Sequence, residues 1–284
     1  MAAVDSRGNS MKLQGKVAIV TGASGVLCSE MVRALAAEGC RLALLNRRVE
    51  SAEALRASLS VEGFRDVMVT PGDVLDRRSL ESARDHVLGE WGHIDILING
   101  AGGNRPAGTT KVEQLEKDSP PEDGFFGLDL AAVEDVHRLN LMGTILPSQV
   151  FGRSMLGRGG CILNVSSMAA NQPLTKIVGY AAAKAGVENF TRWLAVHLAK
   201  SDIRVNAIAP GFFITEQNRF LMLEADGKTP TARGMKVLAK TPMGRFGDPK
   251  DLRGATVFLC SDDASFITGI VIPVDGGFLA HSGV

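Results

Sequence analysis

The sequence of 284 residues lacks most of the features that assign a protein to a specialised class. Its four cysteines, Cys28, Cys40, Cys161 and Cys260, form no C-x-x-C pair and no cluster with metal-ligand spacing, so we expect no metal site. Free cysteines in apolar segments are typical of a reducing compartment, which predicts a cytoplasmic protein. Residues 1–11 contain no apolar run, and no run approaches the roughly 18 residues of a membrane span, so we expect neither a secretory signal nor a membrane partner.

An excess of charge of either sign is also absent. The 31 basic and 31 acidic residues give a formal net charge of zero, which does not favour nucleic acid as a partner. Hydrophobic residues make up 45% of the chain, and its length suits one large α/β domain that needs no disulfide. We therefore predict a flexible N-terminal tail over residues 1–12 and a single domain over residues 13–284.

Short apolar, β-branched runs alternate with longer stretches of helical spacing. Near-continuous apolar strands separated by helices indicate a parallel sheet that is covered on both faces. Because such crossovers are right-handed, we predict an α/β fold of the Rossmann type, with a doubly wound seven-stranded parallel sheet and helices on both faces. The predicted strands are Val17–Thr21, Arg41–Asn46, Val67–Thr70, Asp95–Asn99, Cys161–Val165, Arg204–Ala209 and Ile270–Val274, and the main predicted helices are Glu30–Glu38, Ser51–Ser60, Ser79–Glu90, Ala131–Met155 and Gly179–Lys200.

One irregular stretch, over residues 103–130, interrupts this alternation after the fourth predicted strand. It contains Gly, Pro, Asp and Thr, and its one helical signal is a short segment near residues 111–117. Its position at the carboxyl end of the sheet predicts an active-site insertion, since folds of this kind bind ligands at that edge. A surface insertion or an oligomer contact is the alternative.

The first predicted strand runs directly into the turn Thr21-Gly22-Ala23-Ser24-Gly25 and then into a helix. Glycines at such a turn let the backbone approach a pyrophosphate, whose charge the helix N-terminus favours. A tight structural turn is the alternative, but the position on the first strand of a βαβ unit favours a dinucleotide site. The second strand ends at Asn46, without the carboxylate that bonds the ribose of NAD, and Arg47 and Arg48 follow. We therefore favour NADP(H) as cofactor, with NAD(H) as the second option; a solvated basic turn is the alternative reading.

Tyr180 is the only tyrosine of the chain, and it stands four residues before Lys184 on a predicted helix. This spacing places both side chains on one helix face. A tyrosine hydroxyl, whose reference pKa is about 10, is a poor acid at neutral pH, and a neighbouring ammonium lowers that pKa. Ser167, just past the fifth strand, could donate a hydrogen bond to a substrate carbonyl. A surface pair without a catalytic role is the alternative, and Ser167 together with the nucleotide turn weakens it.

Eight collinear motifs extend this pattern over almost the whole chain: TGASG (21–25), GDV (72–74), NGAG (99–102), NLMG (140–143), NVSS (164–167), YAAAK (180–184), RVNAIAPG (204–211) and VDGGF (274–278). With them the chain resembles the classical short-chain dehydrogenase/reductase family from Gly15 onward. The resemblance implies an NAD(P)-dependent oxidoreductase with a catalytic tetrad of Asn140, Ser167, Tyr180 and Lys184. Tyr180 would be the general acid in reduction, and Ser167 would polarise the carbonyl. Lys184 would hold the nicotinamide ribose and lower the pKa of Tyr180, and Asn140 would position a water that relays protons to Lys184.

The same resemblance implies a cofactor site along the carboxyl edge of the sheet. The family's glycine turn usually reads TGxxxGxG, whereas Val26 and Cys28 hold the second and third glycine positions here, so Gly25 is the expected source of flexibility. By the same resemblance, Asp73 and Val74 would flank the adenine. Asn99 would support the cofactor cleft, and Thr215 would reach the nicotinamide carboxamide. The residues implied at the cofactor are Gly22, Ser24, Gly25, Val26, Leu27, Asn46, Arg47, Arg48, Asp73, Val74, Asn99, Ala101, Gly102, Tyr180, Lys184, Pro210, Gly211, Phe213 and Thr215.

Further stretches, INGAGGN (98–104), LPSQVFG (146–152), PLTK (173–176), APGFFIT-x-QNR (209–219), TPMGRFG (241–247) and the final SGV, are similar to the D-mannonate oxidoreductase (fructuronate reductase) branch. This narrower resemblance implies a six-carbon sugar acid as substrate. Charge-assisted partners for its carboxylate, and amides for its hydroxyls, are expected on segments that face the cleft. The candidates are Arg105, Lys176 and Arg219 for the carboxylate, and Asn104, Gln149 and Asn218 for the hydroxyls.

Two other interpretations stay open at this point. The same chemistry could act on a gluconate-type polyol or on a 3-oxoacyl thioester, and a non-catalytic nucleotide-binding scaffold is the interpretation from another class of protein. The family resemblance also implies a homotetramer, with residues 278–284 close to a neighbouring subunit.

Overall fold

The computed structural model describes residues 11–215 and 218–283, which form one seven-stranded sheet with the strand order β3-β2-β1-β4-β5-β6-β7. Every neighbouring pair of strands is parallel. This topology confirms the predicted doubly wound fold of the Rossmann type. The strands are β1 (Val17–Thr21), β2 (Arg41–Asn46), β3 (Val67–Pro71), β4 (Ile96–Asn99), β5 (Gly160–Val165), β6 (Ile203–Pro210) and β7 (Val271–Val274).

The central strands are apolar on both faces because helices cover both. All five residues of β1 are buried, and so are all four of β4. Residues alternate between two separate cores along each strand, so that Val20 packs on one face of the sheet and Ile19 on the other. The chain order reverses between β1 and β4, which are neighbours in the sheet. This switch point, at the carboxyl ends of the strands, is where open parallel sheets bind their ligands.

The helices form two layers, as the two cores show. Helices α1, α2 and α9 contribute apolar side chains to one core, and α3, α5 and α6 contribute to the other. The short helices α7 and α8 follow β6 and pack on each other. The bounds are α1 (Val26–Ala37), α2 (Val49–Val61), α3 (Arg77–Trp91), α4 (Leu130–His137), α5 (Gly143–Gly152), α6 (Val178–Leu198), α7 (Arg219–Met222), α8 (Ala232–Lys240) and α9 (Arg253–Cys260).

Two sequence-based expectations for the helices are wrong. Residues 111–117 form no helix, because the backbone amides of Lys111 and Val112 both donate to the carbonyl of Asp123 across the insertion. The single helix expected over Ala131–Met155 is interrupted by a π-helical turn, Arg138–Met142, between α4 and α5. Helices α7, α8 and α9 were not predicted, since they have only four, nine and eight residues.

Two further expectations concern the N-terminal tail and the absence of a membrane span. Most of the predicted N-terminal tail lies outside the described residues. Lys12, at its end, donates from its backbone to Glu38 and forms an ion pair with Asp263. Among residues 11–215 and 218–283, no helix is long and apolar enough to cross a membrane.

The buried centre of β5 gives a direct test of the core. Leu163 is fully buried between β4 and β6, so Leu163→Ala should lower the free energy of unfolding by about 2–5 kcal/mol through lost burial and an unfilled cavity. Val61→Ala is the matched control, because Val61 is 90% exposed and its truncation should change stability by less than about 0.5 kcal/mol. Urea unfolding at one protein concentration measures both, and equal effects would contradict the assigned core.

Candidate active site

The turn between β1 and α1 is built on a close approach to the end of β4. Gly22 has a φ of +63°, and a Cβ there would lie 2.9 Å from the Cα of Ala101. The hydroxyl of Thr21 accepts hydrogen bonds from the backbone amides of Gly100 (3.1 Å) and Ala101 (3.2 Å). Both the conformation and the space therefore require glycine at position 22.

Gly25 does not have the role expected of it. Its φ of −63° and ψ of 150° are open to any residue, so the left-handed conformation of this turn comes from Gly22 alone. Gly25 is the N-cap of α1, and no side chain caps the helix or places an acid in its first turn. The first backbone amides of α1 are therefore left for an anion, which is the arrangement that a pyrophosphate needs.

Cys28 stands at the family's third glycine position, and its side chain has room there because residue 100 is a glycine. Its thiol lies 3.7 Å from the carbonyl oxygen of Gly100, and a Cβ on Gly100 would come within 2.2 Å of the sulfur. The missing side chain of Gly100 thus makes room for the one that Cys28 adds, and α1 keeps its packing against β4. Burial raises the pKa of Cys28 to about 11, so the thiol stays neutral. Val26, at the second glycine position, begins α1 and is partly exposed.

The end of β2 is linked to the glycine turn. Asn46 donates from Nδ2 to the hydroxyl of Ser24 (2.7 Å) and accepts at Oδ1 from the Ser24 amide (3.3 Å), while Ser24 also donates to Ser51. Arg47 and Arg48 are exposed, and their guanidinium groups form no hydrogen bond or ion pair with the residues that the structure describes. Two arginines are therefore free beside the turn.

Side chains beyond the turn are held by local hydrogen bonds. Asp73 accepts at Oδ1 from the amide of Leu75 (2.9 Å), and the neighbouring Val74 is buried against Gly143. Asn99 donates from Nδ2 to Ser148 (2.8 Å) and to Asn164 (2.9 Å). The Oδ1 atom of Asn99 is buried and has no partner among the described residues, so this acceptor stays available.

Asn140 lies inside the π-helical turn, fully buried, and its amide holds the first residues of the insertion. Nδ2 donates to the carbonyls of Gly103 (2.7 Å) and Val136 (2.8 Å), and Oδ1 accepts from the Gly103 amide (3.2 Å). A Cβ at Gly102 would lie 2.6 Å from this Oδ1 and 3.5 Å from Nζ of Lys184. Gly102 therefore lets Asn140 and Lys184 approach each other, and the π-helical turn brings the asparagine into that position.

Lys184 is the buried cation of the site. Its side chain is 4% exposed, and Nζ donates to the carbonyl of Val165 (2.7 Å) and lies 5.6 Å from the ring centre of Tyr180. Burial lowers the pKa of Lys184 to about 8. The ammonium can therefore lose its proton close to neutral pH.

Tyr180 is half-buried, one helical turn before Lys184 on α6. Burial raises the pKa of the Tyr180 hydroxyl, and the hydroxyl of Ser167 acts in the opposite direction. This differs from the expectation that Lys184 lowers this pKa, because burial destabilises the phenolate while the lysine amine is bonded to Val165. The structure does bring Ser167, Tyr180, Lys184 and Asn140 together at the carboxyl ends of β4 and β5.

The segment after β6 closes the other side of the site. Gly211 donates to the carbonyl of Val274 (2.9 Å), and a Cβ on Gly211 would lie 2.6 Å from the Cα of Asp275. Phe213 is buried against Gly247. The amide of Thr215 donates to Oδ1 of Asn218 (2.8 Å), which fixes the chain after Pro210.

The six predicted substrate contacts have different surroundings. Arg105 and Asp135 are both more than half exposed and are paired at 3.8 Å, and Arg219 donates to the carbonyl of Gly227 (3.3 Å). Gln149 accepts a hydrogen bond from Arg77 on α3, so its side chain is directed at that helix. Asn218 donates to the carbonyl of Phe213 besides binding Thr215. Asn104 is exposed, and Lys176 adopts a left-handed backbone with φ of +75°.

Sequence reasoning missed a charged cluster beside these residues. Glu113, in the insertion, pairs with Arg233 (3.6 Å) and Lys236 (3.1 Å) of α8. Arg233, Lys236 and Lys240 recur at helical spacing and would have been visible as one cationic face, had α8 been predicted.

A doubly wound sheet, a glycine turn before a free helix N-terminus, and a lysine–tyrosine pair at the switch point together define an NAD(P)-dependent oxidoreductase built on a Rossmann fold. Residues 22–279 match the sequence model of the family described as enoyl-(acyl carrier protein) reductase. The chain is 48% identical to the uncharacterized oxidoreductase UxuB of Bacillus subtilis (strain 168), over 96% of this chain and 98% of that protein. The chain belongs to the short-chain dehydrogenase/reductase family.

Solved structures of two relatives carry bound cofactors. A protein from Haemophilus influenza with the provisional name D-mannonate oxidoreductase, solved with NAD, has a TM-score of 0.90 and 43% identity, with 96% of this chain and 98% of that chain covered. A gluconate 5-dehydrogenase from Burkholderia cenocepacia J2315, solved with NADP and tartrate, has a TM-score of 0.81 and 30% identity, with 95% and 97% covered. Relatives of the chain thus bind either cofactor.

The low pKa of Lys184 has a measurable effect on stability. The folded chain holds this pKa at about 8, whereas the unfolded chain keeps the ordinary value of 10.5. Between these values the unfolded chain binds a proton that the folded chain does not, so Lys184 makes the free energy of unfolding rise with pH. Urea unfolding of the wild type and of Lys184→Met, at about pH 7 and about pH 9.5, should show the wild type gaining stability relative to the variant. An unchanged difference would mean that burial does not lower this pKa.

Proposed function

We propose that the protein catalyses reversible hydride transfer between NAD(P)(H) and the carbonyl or secondary alcohol of a sugar acid of the D-fructuronate/D-mannonate type. The observation that carries the reaction is the grouping of Tyr180, Lys184, Ser167 and Asn140 at the sheet's switch point. The provisional name of the Haemophilus relative supports the substrate class, and so does the name of the gluconate 5-dehydrogenase.

In this proposal the cofactor's pyrophosphate binds at the amides of α1, over the turn that Gly22 forms. The nicotinamide, when bound, supplies or accepts the hydride. Tyr180 donates its proton to the carbonyl oxygen as that oxygen gains negative charge, and Ser167 donates a hydrogen bond to the same atom. The raised pKa of Tyr180 keeps the hydroxyl protonated for reduction at neutral pH.

In this proposal, Lys184 and Asn140 belong to the relay that returns a proton to Tyr180. The Lys184 ammonium, with a pKa near 8, can give up a proton to Tyr180 and take one back from solvent. We propose that Asn140 holds a water in this relay, as the family resemblance implies. Both N–H groups of its side-chain amide are bonded, to Gly103 and Val136, so the asparagine cannot swing away from Lys184. Its Oδ1 accepts only from Gly103 among the described residues, which leaves one acceptor position for the water.

For the cofactor we propose that NADP(H) is favoured and that NAD(H) is also used. No carboxylate stands at the end of β2, so nothing there repels a 2′-phosphate. Arg47 and Arg48 are free to bind one, and a planar guanidinium matches phosphate geometry. The NAD-bound relative supports use of the second cofactor.

We also propose the homotetramer that the family resemblance implies. Trp193 and Val196 support it, since these large apolar side chains on α6 are 59% and 81% exposed. Apolar groups exposed together on one helix are typical of a contact between subunits.

The first test of the mechanism is Tyr180→Phe. We expect kcat to fall by about 10²–10⁴-fold, since the ring stays in place and only the proton donor is lost. Cofactor affinity, measured by fluorescence titration, and the melting temperature should stay close to wild type. A variant with near-normal turnover would refute the role of Tyr180.

The substrate and cofactor are tested by initial rates of D-fructuronate reduction with NADPH and NADH in parallel, against gluconate-type and 3-oxoacyl substrates. We expect the sugar acid to give the highest kcat/KM, and NADPH to have the lower KM of the two cofactors. The double variant Arg47→Ala, Arg48→Ala should raise the KM for NADPH about tenfold and leave that for NADH unchanged. A preference for 3-oxoacyl substrates would overturn the sugar-acid assignment, and an equal effect on both cofactors would overturn the phosphate contact.

A further inference from the structure

A cavity of about 180 Å³ lies between the insertion and helix α8. Three of the segments that line it are the insertion with Glu113, residues Gln172–Thr175, and helix α8 with Arg233, Lys236 and Lys240. Residues 172–175 lie in the chain between Ser167 and Tyr180. The cavity thus adjoins the segment that carries the proposed proton donor.

Its other walls include residues from the segments after β6 and β7. Phe212, which directly follows the glycine that closes the site, packs edge-to-face on Phe278 with ring centres 5.4 Å apart, and both rings line the cavity. Pro173 and Leu174 complete an apolar wall.

The charged lining is strongly asymmetric for a protein with a net charge of zero. Arg233, Lys236 and Lys240 contribute three positive charges, and Glu113 contributes one negative charge. Positions 233, 236 and 240 share one face of α8, so the three cations converge on the same space. Such a lining attracts an anion with at least one carboxylate.

Glu113, the ion-pair partner of Arg233, uses the hydrogen-bond donors of this guanidinium only in part. Its contact with Glu113 is long, 3.6 Å, and its Nε atom is buried without a hydrogen-bond partner among the described residues. A guanidinium normally binds a carboxylate through two short parallel hydrogen bonds. Lys236 holds the other oxygen of Glu113 at 3.1 Å, and this hydrogen bond lowers the pKa of Glu113. The cluster therefore already binds a carboxylate, but in a geometry that leaves the Nε donor of Arg233 without an acceptor.

We propose that Arg233 and Lys236 are the specificity-determining residues that bind the carboxylate of the substrate, which takes the place of the Glu113 carboxylate. The inference rests on the proposed reduction of a sugar acid and names the residues that select for the acid. Two of the three cations predicted from sequence fit this role less well, since Arg105 is paired with Asp135 at the surface and Arg219 is bonded to Gly227.

Displacement of Glu113 explains why the insertion carries an acid at this point. Without substrate, Glu113 neutralises part of the charge of α8 and joins the insertion to the segment after β6. When the carboxylate of the substrate replaces it, Glu113 is released to solvent, where its partly exposed side chain is readily hydrated.

The test compares KM and kcat of Arg233→Met for D-fructuronate and for D-fructose, a ketose of the same length without the carboxylate. We expect KM for D-fructuronate to rise about tenfold or more, with kcat within a few-fold of wild type and KM for D-fructose unchanged. Arg56→Met is the matched control, because Arg56 is also a helical arginine paired with a glutamate, Glu53, but lies on α2. A selective loss in Arg219→Met and not in Arg233→Met would overturn the proposal.

Glu113→Gln separates displacement from a purely structural role of the cluster. It should lower KM for D-fructuronate several-fold, because the substrate no longer competes with an internal carboxylate. If KM rises equally for both substrates, Glu113 only holds the insertion in place, and the proposed displacement is wrong.

A binding measurement keeps this inference separate from the proposed reaction. Calorimetric titration of D-gluconate into the wild-type complex with NADP⁺ should show binding that Arg233→Met weakens about tenfold and Arg56→Met does not. This result would support the carboxylate site even if D-fructuronate proved not to be reduced. Equal affinity in the wild type and Arg233→Met, or no binding of D-gluconate to either, would overturn it.

Discussion

The close approach of the β1–α1 turn to the end of β4 is the contact on which the rest of the site depends. The Thr21 hydroxyl accepts hydrogen bonds from two backbone amides just past the end of β4, and Gly22 puts no side chain into this contact. This contact fixes where α1 begins, and hence where its free amides point. It also fixes Ala101 and Gly102, the residues from which the insertion departs. An error of one residue here would misplace both the cofactor and the proton donor.

The contact also explains how the chain tolerates an unusual glycine turn. Helix α1 and strand β4 must approach closely, and the family meets this need with a glycine on the helix. Here the glycine is Gly100, directly after the strand, and the thiol of Cys28 fills the space. The physical requirement is one missing side chain at the interface, and either partner can supply it.

Most of the sheet could be predicted from sequence, since each strand is a short apolar run with a clear end. β1 and β2 have the predicted bounds, and the others differ by one residue at one or both ends. The π-helical turn could not be predicted, because it depends on hydrogen bonds between Asn140 and Gly103, residues 37 positions apart. The positions of Ser167, Tyr180 and Lys184 followed from their motifs. The cluster around Glu113 did not, since it forms only when the insertion and α8 meet in space.

Positive charge is concentrated in parts of the site, although the net charge of the chain is zero. Lys184 is a buried cation without an acidic partner among the described residues, and its lowered pKa is the result. The cations of α8 lie together around the cavity that Glu113 also lines. The net charge of zero therefore averages over a buried lysine beside Tyr180 and a group of cations on α8.

The bonds that Asn140 makes to Gly103 have an evolutionary consequence. They anchor the first residue of the insertion to the buried helix, and the N-cap Asp129 anchors its last turn at the start of α4. Between these two anchors, loop length has a small entropic cost, which grows only with its logarithm. The insertion can therefore be exchanged as a module, so that descendants of this scaffold can acquire new substrates while the proton-transfer groups keep their positions.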